Sequence, residues 1–179
     1  MQTVLVTGAN GFLGQYLVEK LLLNNFKVIA TSKGESRLRS AHPNLAYETL
    51  DFTDAPEVTR IFLLHKPAVV VHSGAWSKPD DCERDKKEAF EINVTGTINL
   101  LKAAEAFESH FVFLSTDFIF SGEKGFYKEE DEAGPVNYYG KTKFLAEQEV
   151  VKFPWLYSIV RTVLVYGDPR GGRDNILTM

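Results

Sequence analysis

The stretch that decides the fold of this chain is TVLVTGANGFLG, from Thr3 to Gly14. The run from Thr3 to Thr7 is aliphatic and β-branched, which predicts a buried strand, and the glycines that follow have the spacing G-x-x-G-x-x-G. Such a turn bends tightly, brings backbone close to a pyrophosphate and opens a helix whose free N–H groups attract phosphate. Because it lies between a strand and a helix, the turn, with Gly8 and Asn10 at its start, predicts a site for a dinucleotide.

The rest of the chain alternates short apolar runs with segments in which apolar residues recur at helical spacing. Further strands are predicted at residues 27–31, 45–50, 68–72, 111–115 and 156–165, and helices at residues 12–21, 58–65, 90–101 and 138–151. Strands that alternate with helices pair in parallel through right-handed crossovers. The expected architecture is a Rossmann-type α/β domain over residues 1–179, a doubly wound parallel sheet in a three-layer αβα arrangement.

The composition is that of an ordinary globular domain, with 44% hydrophobic and 25% charged residues. A net charge of −4 gives little attraction to nucleic acid or to an anionic membrane. No apolar run approaches the ~20 residues that span a bilayer, and the N-terminus lacks the basic region of a signal peptide. Cys82 is the single cysteine, so no internal disulfide forms. We therefore expect a cytoplasmic protein with no nucleic-acid partner, no membrane partner and no metal site.

A basic segment follows the second predicted strand, where NAD-binding domains carry an acid that holds the ribose. The sequence here reads Thr31-Ser32-Lys33, with Arg37 close behind. Lys33 and Arg37 would contact a 2′-phosphate, with Thr31 or Ser32 as hydrogen-bond partners, although an exposed basic loop would have the same sequence. NADP(H) is the preferred cofactor on this reasoning, with NAD(H) as the alternative. A carboxylate and an aromatic ring after the third strand would approach the adenine: Asp51 and Phe52.

A tyrosine and a lysine four residues apart open the helix predicted at residues 138–151. Tyr139 and Lys143 lie on one helical face, and an ammonium beside a phenol lowers the pKa of the phenol from about 10. Tyr139 is therefore predicted to be a general acid near neutral pH. Ser115 and Thr116 end the fifth predicted strand, at the sheet edge where doubly wound folds bind ligands. Either hydroxyl would hydrogen-bond a substrate carbonyl while Tyr139 protonates it and a nicotinamide supplies the hydride.

A long loop rich in glycine and acidic residues runs from Phe120 to Asn137. Loops of this length within a compact domain are often functional. An exposed surface loop without a function would have the same composition, so the sequence leaves both interpretations open.

Several motifs are similar to those of extended short-chain dehydrogenase/reductases, and most of all to the dTDP-4-dehydrorhamnose reductase family. The most specific is STDFIFSG at residues 115–122, which matches that family's S-T-D-hydrophobic-hydrophobic-F-x-G. Further segments resemble other elements of the family pattern: VVHSGAWS at 70–77 continuing to Asp80 and Glu83, NVTGT at 93–97, YGKTK at 139–143 and RTVLVYG at 161–167. The resemblance extends over essentially the whole chain.

This resemblance implies a role for individual residues. Three residues of the glycine turn would touch the pyrophosphate: Gly11, Phe12 and Leu13. Three residues after the fourth strand would contact the central part of the cofactor: Gly74, Ala75 and Trp76. Thr116 is preferred over Ser115 and would face the sugar with Asp117, while Tyr139 and Lys143 would also contact the nicotinamide end, Lys143 through the ribose. Two positions depart from the pattern, since the family often has glutamine at the position of Phe12 and asparagine at that of His72.

The implied activity is NAD(P)H-dependent reduction of a nucleotide-linked 4-keto sugar. A homodimer is the expected assembly. Two alternatives remain. One is an NAD-dependent nucleotide-sugar epimerase or dehydratase, and the other is a non-catalytic subunit, since a related family includes a partner of methionine adenosyltransferase. The intact Thr116, Tyr139 and Lys143 favour an enzyme. Family members usually carry a C-terminal substrate-binding part, and residues 175–179 resemble the start of another helix, so we expect that part to be missing here.

Overall fold

The computed structural model describes residues 1–39 and 41–168 and contains six strands: β1 (Thr3–Thr7), β2 (Lys27–Ser32), β3 (Leu45–Thr49), β4 (Val69–His72), β5 (His110–Thr116) and β6 (Tyr157–Thr162). They pair in parallel in the order β3-β2-β1-β4-β5-β6. The order runs outward from β1 on one side and from β4 on the other. A crevice therefore opens between the carboxyl ends of β1 and β4, where such sheets bind ligands. The predicted doubly wound Rossmann-type fold is confirmed.

In the described part of the chain, six α-helices connect the strands: α1 (Phe12–Leu23), α2 (Ala55–His65), α3 (Pro79–Arg84), α4 (Lys86–Phe90), α5 (Gly96–Ala106) and α6 (Tyr138–Val151). A π-helical turn, Glu91–Thr95, joins α4 to α5, and a 3₁₀ turn, Asp117–Ile119, follows β5. The π-helical turn therefore interrupts the helix that was predicted at residues 90–101. The short helix α3 was not predicted, because its sequence PDDCER has no apolar periodicity.

The core has two parts because side chains alternate between the faces of the central strands. On one face, Leu5 and Phe111 pack with Phe62 of α2 and Ala146 of α6. On the other face, a second cluster is formed by Val4, Val6, Val28 and Ala30 of the strands with Val18 and Leu22 of α1. Helices therefore cover both faces of the sheet, as the near-continuous apolar character of the central strands predicted.

The last strand is shorter than its apolar sequence suggested. Pairing of β6 with β5 ends at the Thr116–Thr162 pair, so the predicted continuation to Val165 has no neighbour to pair with. The predicted helix start at residues 175–179 lies outside the described residues. Within residues 1–39 and 41–168, no helix has the length and apolarity needed to cross a bilayer, and no group of three or more His, Cys, Asp and Glu side chains is placed to hold a metal ion.

Candidate active site

The glycine turn between β1 and α1 forms a tightly packed cradle at the start of α1. Gly8 has a φ of +68°, and a Cβ added there would lie 2.7 Å from the backbone of Gly74 after β4. A Cβ on Gly14 would overlap the carbonyl oxygen of Gly8. Gly11 caps α1 without any side-chain hydrogen bond, and the first turn contains no acid. The helix therefore presents free N–H groups and positive potential to the crevice. The pyrophosphate contacts of Gly11, Phe12 and Leu13 stay predictions that this geometry supports.

Asn10 organises the loop after β2 instead of offering its side chain to a ligand. Its amide donates to the carbonyl oxygen of Glu35 at 2.8 Å and to the hydroxyl of Tyr47 at 3.0 Å. Its Oδ1 accepts a hydrogen bond from the backbone N–H of Arg37 at 2.8 Å. The predicted cofactor contact of Asn10 is thus replaced by a positioning role, because these bonds hold the backbone that carries Arg37.

Three of the residues predicted to contact a 2′-phosphate, Thr31, Ser32 and Lys33, differ in their burial and in their hydrogen-bond partners. Thr31 is buried, at 1% exposure, and its hydroxyl donates to the carbonyl of Val6, so this side chain is not available to a phosphate. Ser32 lies at the carboxyl edge, where its Oγ accepts from the Asn10 N–H at 3.0 Å. The Lys33 ammonium lies 2.7 Å from a carboxylate oxygen of Asp51. The side-chain prediction for Thr31 is therefore wrong, because β2 is an interior strand of the sheet.

Asp51 forms an ion pair with Lys33, whereas Phe52 packs against the backbone. Partial burial alone would raise the pKa of Asp51, but hydrogen bonds from Lys33 and Thr53 bring that pKa below its ordinary value. The Phe52 ring lies against Gly74 and Gly96, where it leaves no room for a Cβ. It also meets the ring of His72 edge-on, with centroids 5.2 Å apart. The aromatic face predicted for an adenine thus packs against backbone between β4 and α5.

Thr116, Asp117 and Tyr139 come together where β5 ends and α6 begins. The Thr116 hydroxyl donates to Asp117 Oδ1 at 3.1 Å and accepts from the Phe118 N–H at 3.2 Å. The Thr116 side chain also lowers the pKa of Tyr139, so the two side chains face each other. The Tyr139 ring meets Phe118 edge-on at 5.7 Å, and Gly140 lies against the Phe118 carbonyl with no room for a Cβ. The tight approach at Gly140 brings the start of α6 onto the end of β5.

Ser115, the alternative to Thr116, lies on the face of β5 that carries Phe113 and is 4% exposed. Its Oγ has no hydrogen-bond partner in the described part of the chain. The hydroxyl that affects the pKa of Tyr139 is that of Thr116, which agrees with the choice made from the family resemblance.

The predicted effect of Lys143 on Tyr139 is wrong in this structure. Burial raises the pKa of Tyr139 to about 12, against a smaller lowering by the Thr116 hydrogen bond, and Lys143 is not among the groups that affect it. The Lys143 ammonium instead lies 3.9 Å from the centroid of the Phe113 ring. Burial lowers the pKa of Lys143 to about 7, with Glu147 acting in the opposite direction. The four-residue spacing placed both groups on one helix face, but it could not show that the lysine turns toward the sheet.

His72, at the end of β4, is buried, and both of its ring nitrogens are hydrogen-bonded. Its ring nitrogens lie 2.6 Å from the Thr7 hydroxyl and 3.0 Å from the Thr97 hydroxyl. Burial, and secondarily the charge of Lys143, lower the pKa of His72 well below its ordinary value. A neutral imidazole has one donor and one acceptor, which both hydroxyls can satisfy. His72 therefore links β1, β4 and α5 beneath the crevice.

Asn93 is a site residue to which the sequence analysis gave no role. It lies in the π-helical turn, and its amide accepts from the Trp76 N–H at 2.8 Å and donates to the Trp76 carbonyl at 3.1 Å. The same amide donates to the Thr142 hydroxyl at 3.0 Å, which in turn donates to the Tyr139 carbonyl. Asn93 thus joins the segment Gly74–Trp76 to the helix that carries Tyr139. An asparagine among the apolar residues of the helix predicted at residues 90–101 was the signal available in the sequence.

Comparisons with known proteins show the family of this chain. The family model described as the RmlD substrate binding domain matches residues 1–179. Methionine adenosyltransferase 2 subunit beta from Bos taurus is 31% identical over 176 residues, 98% of this chain and 51% of that protein. dTDP-4-dehydrorhamnose reductase from Streptomyces griseus is 35% identical over 177 residues, 98% of this chain and 53% of that protein. The chain spans about half the length of the curated relatives it matches.

A solved structure, dTDP-4-dehydrorhamnose reductase (rfbD) from Bacillus anthracis str. Ames in complex with NADP, superimposes with a TM-score of 0.83 at 28% identity. The match covers 99% of this chain and 58% of that one. The family model spans every residue, and the matched reductases share the sheet that carries the site. The chain therefore belongs to the RmlD substrate binding domain family, within the extended short-chain dehydrogenase/reductases.

Proposed function

We propose that this chain is the cofactor-binding and catalytic part of an NAD(P)H-dependent reductase of a nucleotide-linked 4-keto sugar. The observation that carries the proposal is the approach of Tyr139 to the end of β5, where its ring meets Phe118 and the Thr116 side chain lowers its pKa. This contact lies at the same sheet edge as the glycine cradle. The names of the Streptomyces griseus and Bacillus anthracis relatives, reductases of this substrate class, support it.

The cofactor contacts are assigned from the same edge. The uncapped start of α1 would hold the pyrophosphate, and the segment Gly74–Trp76 would contact the central part of the dinucleotide. Arg37 and Lys33 would face a 2′-phosphate, for which Lys33 exchanges its bond to Asp51. NADP(H) is therefore the preferred cofactor, as in the complex with the Bacillus anthracis relative, and NAD(H) is the alternative.

The reaction requires a proton for the carbonyl oxygen and a hydride for the carbonyl carbon. When bound, the nicotinamide supplies the hydride. Tyr139 transfers its hydroxyl proton to the oxygen, and Thr116, turning from Asp117, donates a hydrogen bond to the same atom. A Tyr139 pKa of about 12 keeps the proton on the hydroxyl until then. If the Lys143 ammonium moves from the Phe113 ring toward this hydroxyl, it makes Tyr139 a stronger acid.

Steady-state oxidation of NAD(P)H by the full-length protein, over a panel of nucleotide-linked keto sugars, tests the proposal. Tyr139→Phe keeps the ring and removes the proton, so kcat should fall by ~10²–10⁴-fold while cofactor affinity is preserved. Tyr138→Phe is the matched control, because its hydroxyl lies outside the Thr116 contact. Wild-type turnover by Tyr139→Phe would overturn the assignment of roles.

A second candidate is a non-catalytic subunit, favoured by the 31% identity to methionine adenosyltransferase 2 subunit beta. It would be supported if the full-length protein turns over no sugar of the panel but forms a stable complex with a methionine adenosyltransferase catalytic chain. Tightly retained NAD, detected by its absorbance after release from the denatured protein, would instead favour an epimerase or dehydratase. Gel filtration in the same experiments tests the predicted homodimer.

A further inference from the structure

An ion pair with a buried carboxylate connects the catalytic helix to the last strand. The guanidinium of Arg161 in β6 donates to both carboxylate oxygens of Glu147 in α6, at 2.8 and 3.1 Å. Glu147 is 3% exposed. Charges removed from water in this way are retained only where their geometry and hydrogen bonds are complete, and their best-attested role is to specify one arrangement.

Arg161 has further contacts, and both lie in the loop between residues 120 and 137. Its Nη1 donates to the carbonyl oxygen of Glu129 at 2.8 Å. Its guanidinium also lies 5.3 Å from the centroid of the Phe120 ring, which stacks on Tyr127 with centroids 4.4 Å apart and planes 12° from parallel. One side chain therefore holds the start and the middle of the loop against the domain.

The loop itself is a compact unit. The Tyr127 hydroxyl lies 3.0 Å from the Ser121 hydroxyl, and Lys124 pairs with Asp131 at 3.0 Å while its ammonium lies over the Tyr127 ring. Gly134 also binds the carbonyl of Ile119 through its N–H. Because these contacts lie within the loop and its base, the loop can move as one piece when the contacts of Arg161 are lost.

The loop connects the two catalytic segments, since it begins after the turn that holds Asp117 and ends at the cap of α6, one turn before Tyr139. We propose that Glu147 and Arg161 form a clasp that holds the 120–137 loop as a wall of the sugar site, which makes them positioning residues for the substrate. The part of this inference that concerns the sugar rests on the proposed function. The part that concerns the loop does not.

Arg161 is the residue to vary, because Glu147 lies one turn from Lys143 and raises its pKa, so a change there would disturb two features. Arg161→Met removes all contacts with Glu147 and Glu129, whereas Arg161→Lys keeps the charge but cannot serve both acceptors in a planar fork. Glu149→Gln is the matched control, since it breaks an exposed ion pair with Lys152 on the same helix.

The first measurement is limited proteolysis of the full-length protein with trypsin, followed by mass spectrometry of the cuts at Lys124 and Lys128. The rate of cleavage of a transiently opened segment follows the population of its open form. Loss of charge-assisted hydrogen bonds should raise that rate by roughly tenfold or more in Arg161→Met and by less in Arg161→Lys. Cuts in the helices and all cuts in Glu149→Gln should keep the wild-type rate. An unchanged rate at Lys124 and Lys128 in Arg161→Met overturns the clasp.

The second measurement separates the sugar from the cofactor. In Arg161→Met, KM for the keto sugar should rise by about tenfold, while kcat and the Kd for NADP(H) stay within about threefold. A freed loop with an unchanged KM overturns the role in sugar binding. If the wild-type protein turns over no sugar, the proposed function fails, and the cleavage rates still decide whether the clasp exists. Should Arg161→Met not fold, Phe120→Leu, which removes the ring under the guanidinium and leaves the ion pair, gives the same comparison.

Discussion

Replacement of Lys143 by methionine should make the ligand-free protein more stable at neutral pH, although it removes a residue of the candidate active site. Burial lowers the pKa of the Lys143 ammonium from 10.5 to about 7. At about 1.4 kcal/mol for each pKa unit, the folded chain gives up about 5 kcal/mol relative to a chain in which this amine stays in water. Methionine has a similar length and no charge to desolvate, and Glu147 keeps its bond to Arg161.

The pH dependence of this gain has a definite sign. Between about pH 7 and pH 10.5 the unfolded wild-type chain binds a proton that the folded chain does not, so wild-type stability rises with pH across this window. The variant lacks that rise. Its advantage is therefore largest at and below pH 7 and disappears as the pH approaches 10.5.

Urea unfolding followed by circular dichroism measures the effect. Because water penetration and relaxation reduce the cost of a buried charge, we expect a gain of about 1 to 4 kcal/mol at pH 7 and less than half of it near pH 10. Lys141→Met, at an exposed position on the same helix, should change stability by less than about 0.5 kcal/mol. A destabilised Lys143→Met at pH 7, or a gain that is the same at both pH values, would refute the reasoning.

Other substitutions test the remaining assignments. Arg37→Ala should raise the Kd for NADP(H) by about tenfold and leave that for NAD(H) unchanged, because only the 2′-phosphate contact is lost; calorimetric titration of both cofactors measures it, and equal losses would count against the assignment. Gly8→Ala should lower the melting temperature and abolish cofactor binding in a fluorescence titration, since it places a Cβ at φ +68° against Gly74. Thr116→Val should lower kcat by roughly 10²-fold through loss of one hydrogen bond to the developing oxyanion, and an unchanged kcat would remove Thr116 from the mechanism.

The fold could be predicted from the sequence because its determinants are local. Each central strand is an apolar run, and the glycine turn follows the first of them, so the parallel order required only the rules of strand connection. The errors lie where the pattern is ambiguous. The prediction extended β6 to Val165 because these residues are apolar, but a strand ends where its neighbour ends, and β5 stops at Thr116.

The site could be predicted only in part, since identity and spacing are visible in a sequence and burial is not. Tyr139 and Thr116 were found, and the structure brings their side chains together. The sign of the pKa shift at Tyr139 was wrong, because it depends on desolvation and on the direction in which Lys143 turns. The pair Glu147–Arg161 joins a helix to a strand through the fold, and nothing in the spacing of the two residues indicates that they meet.

The π-helical turn Glu91–Thr95 has a consequence for how the gene for this chain can change in length. Such a turn holds one residue more than an α-helix over the same hydrogen bonds. Loss of one residue from this turn would therefore close it into a regular α-helix, with α4 and α5 keeping their register. Leu100 and Ala104 would stay in the core, but the turn would no longer hold Asn93 against Trp76. A single-codon deletion within codons 91–95 should therefore leave a folded protein that has lost the link between Trp76 and the start of α6.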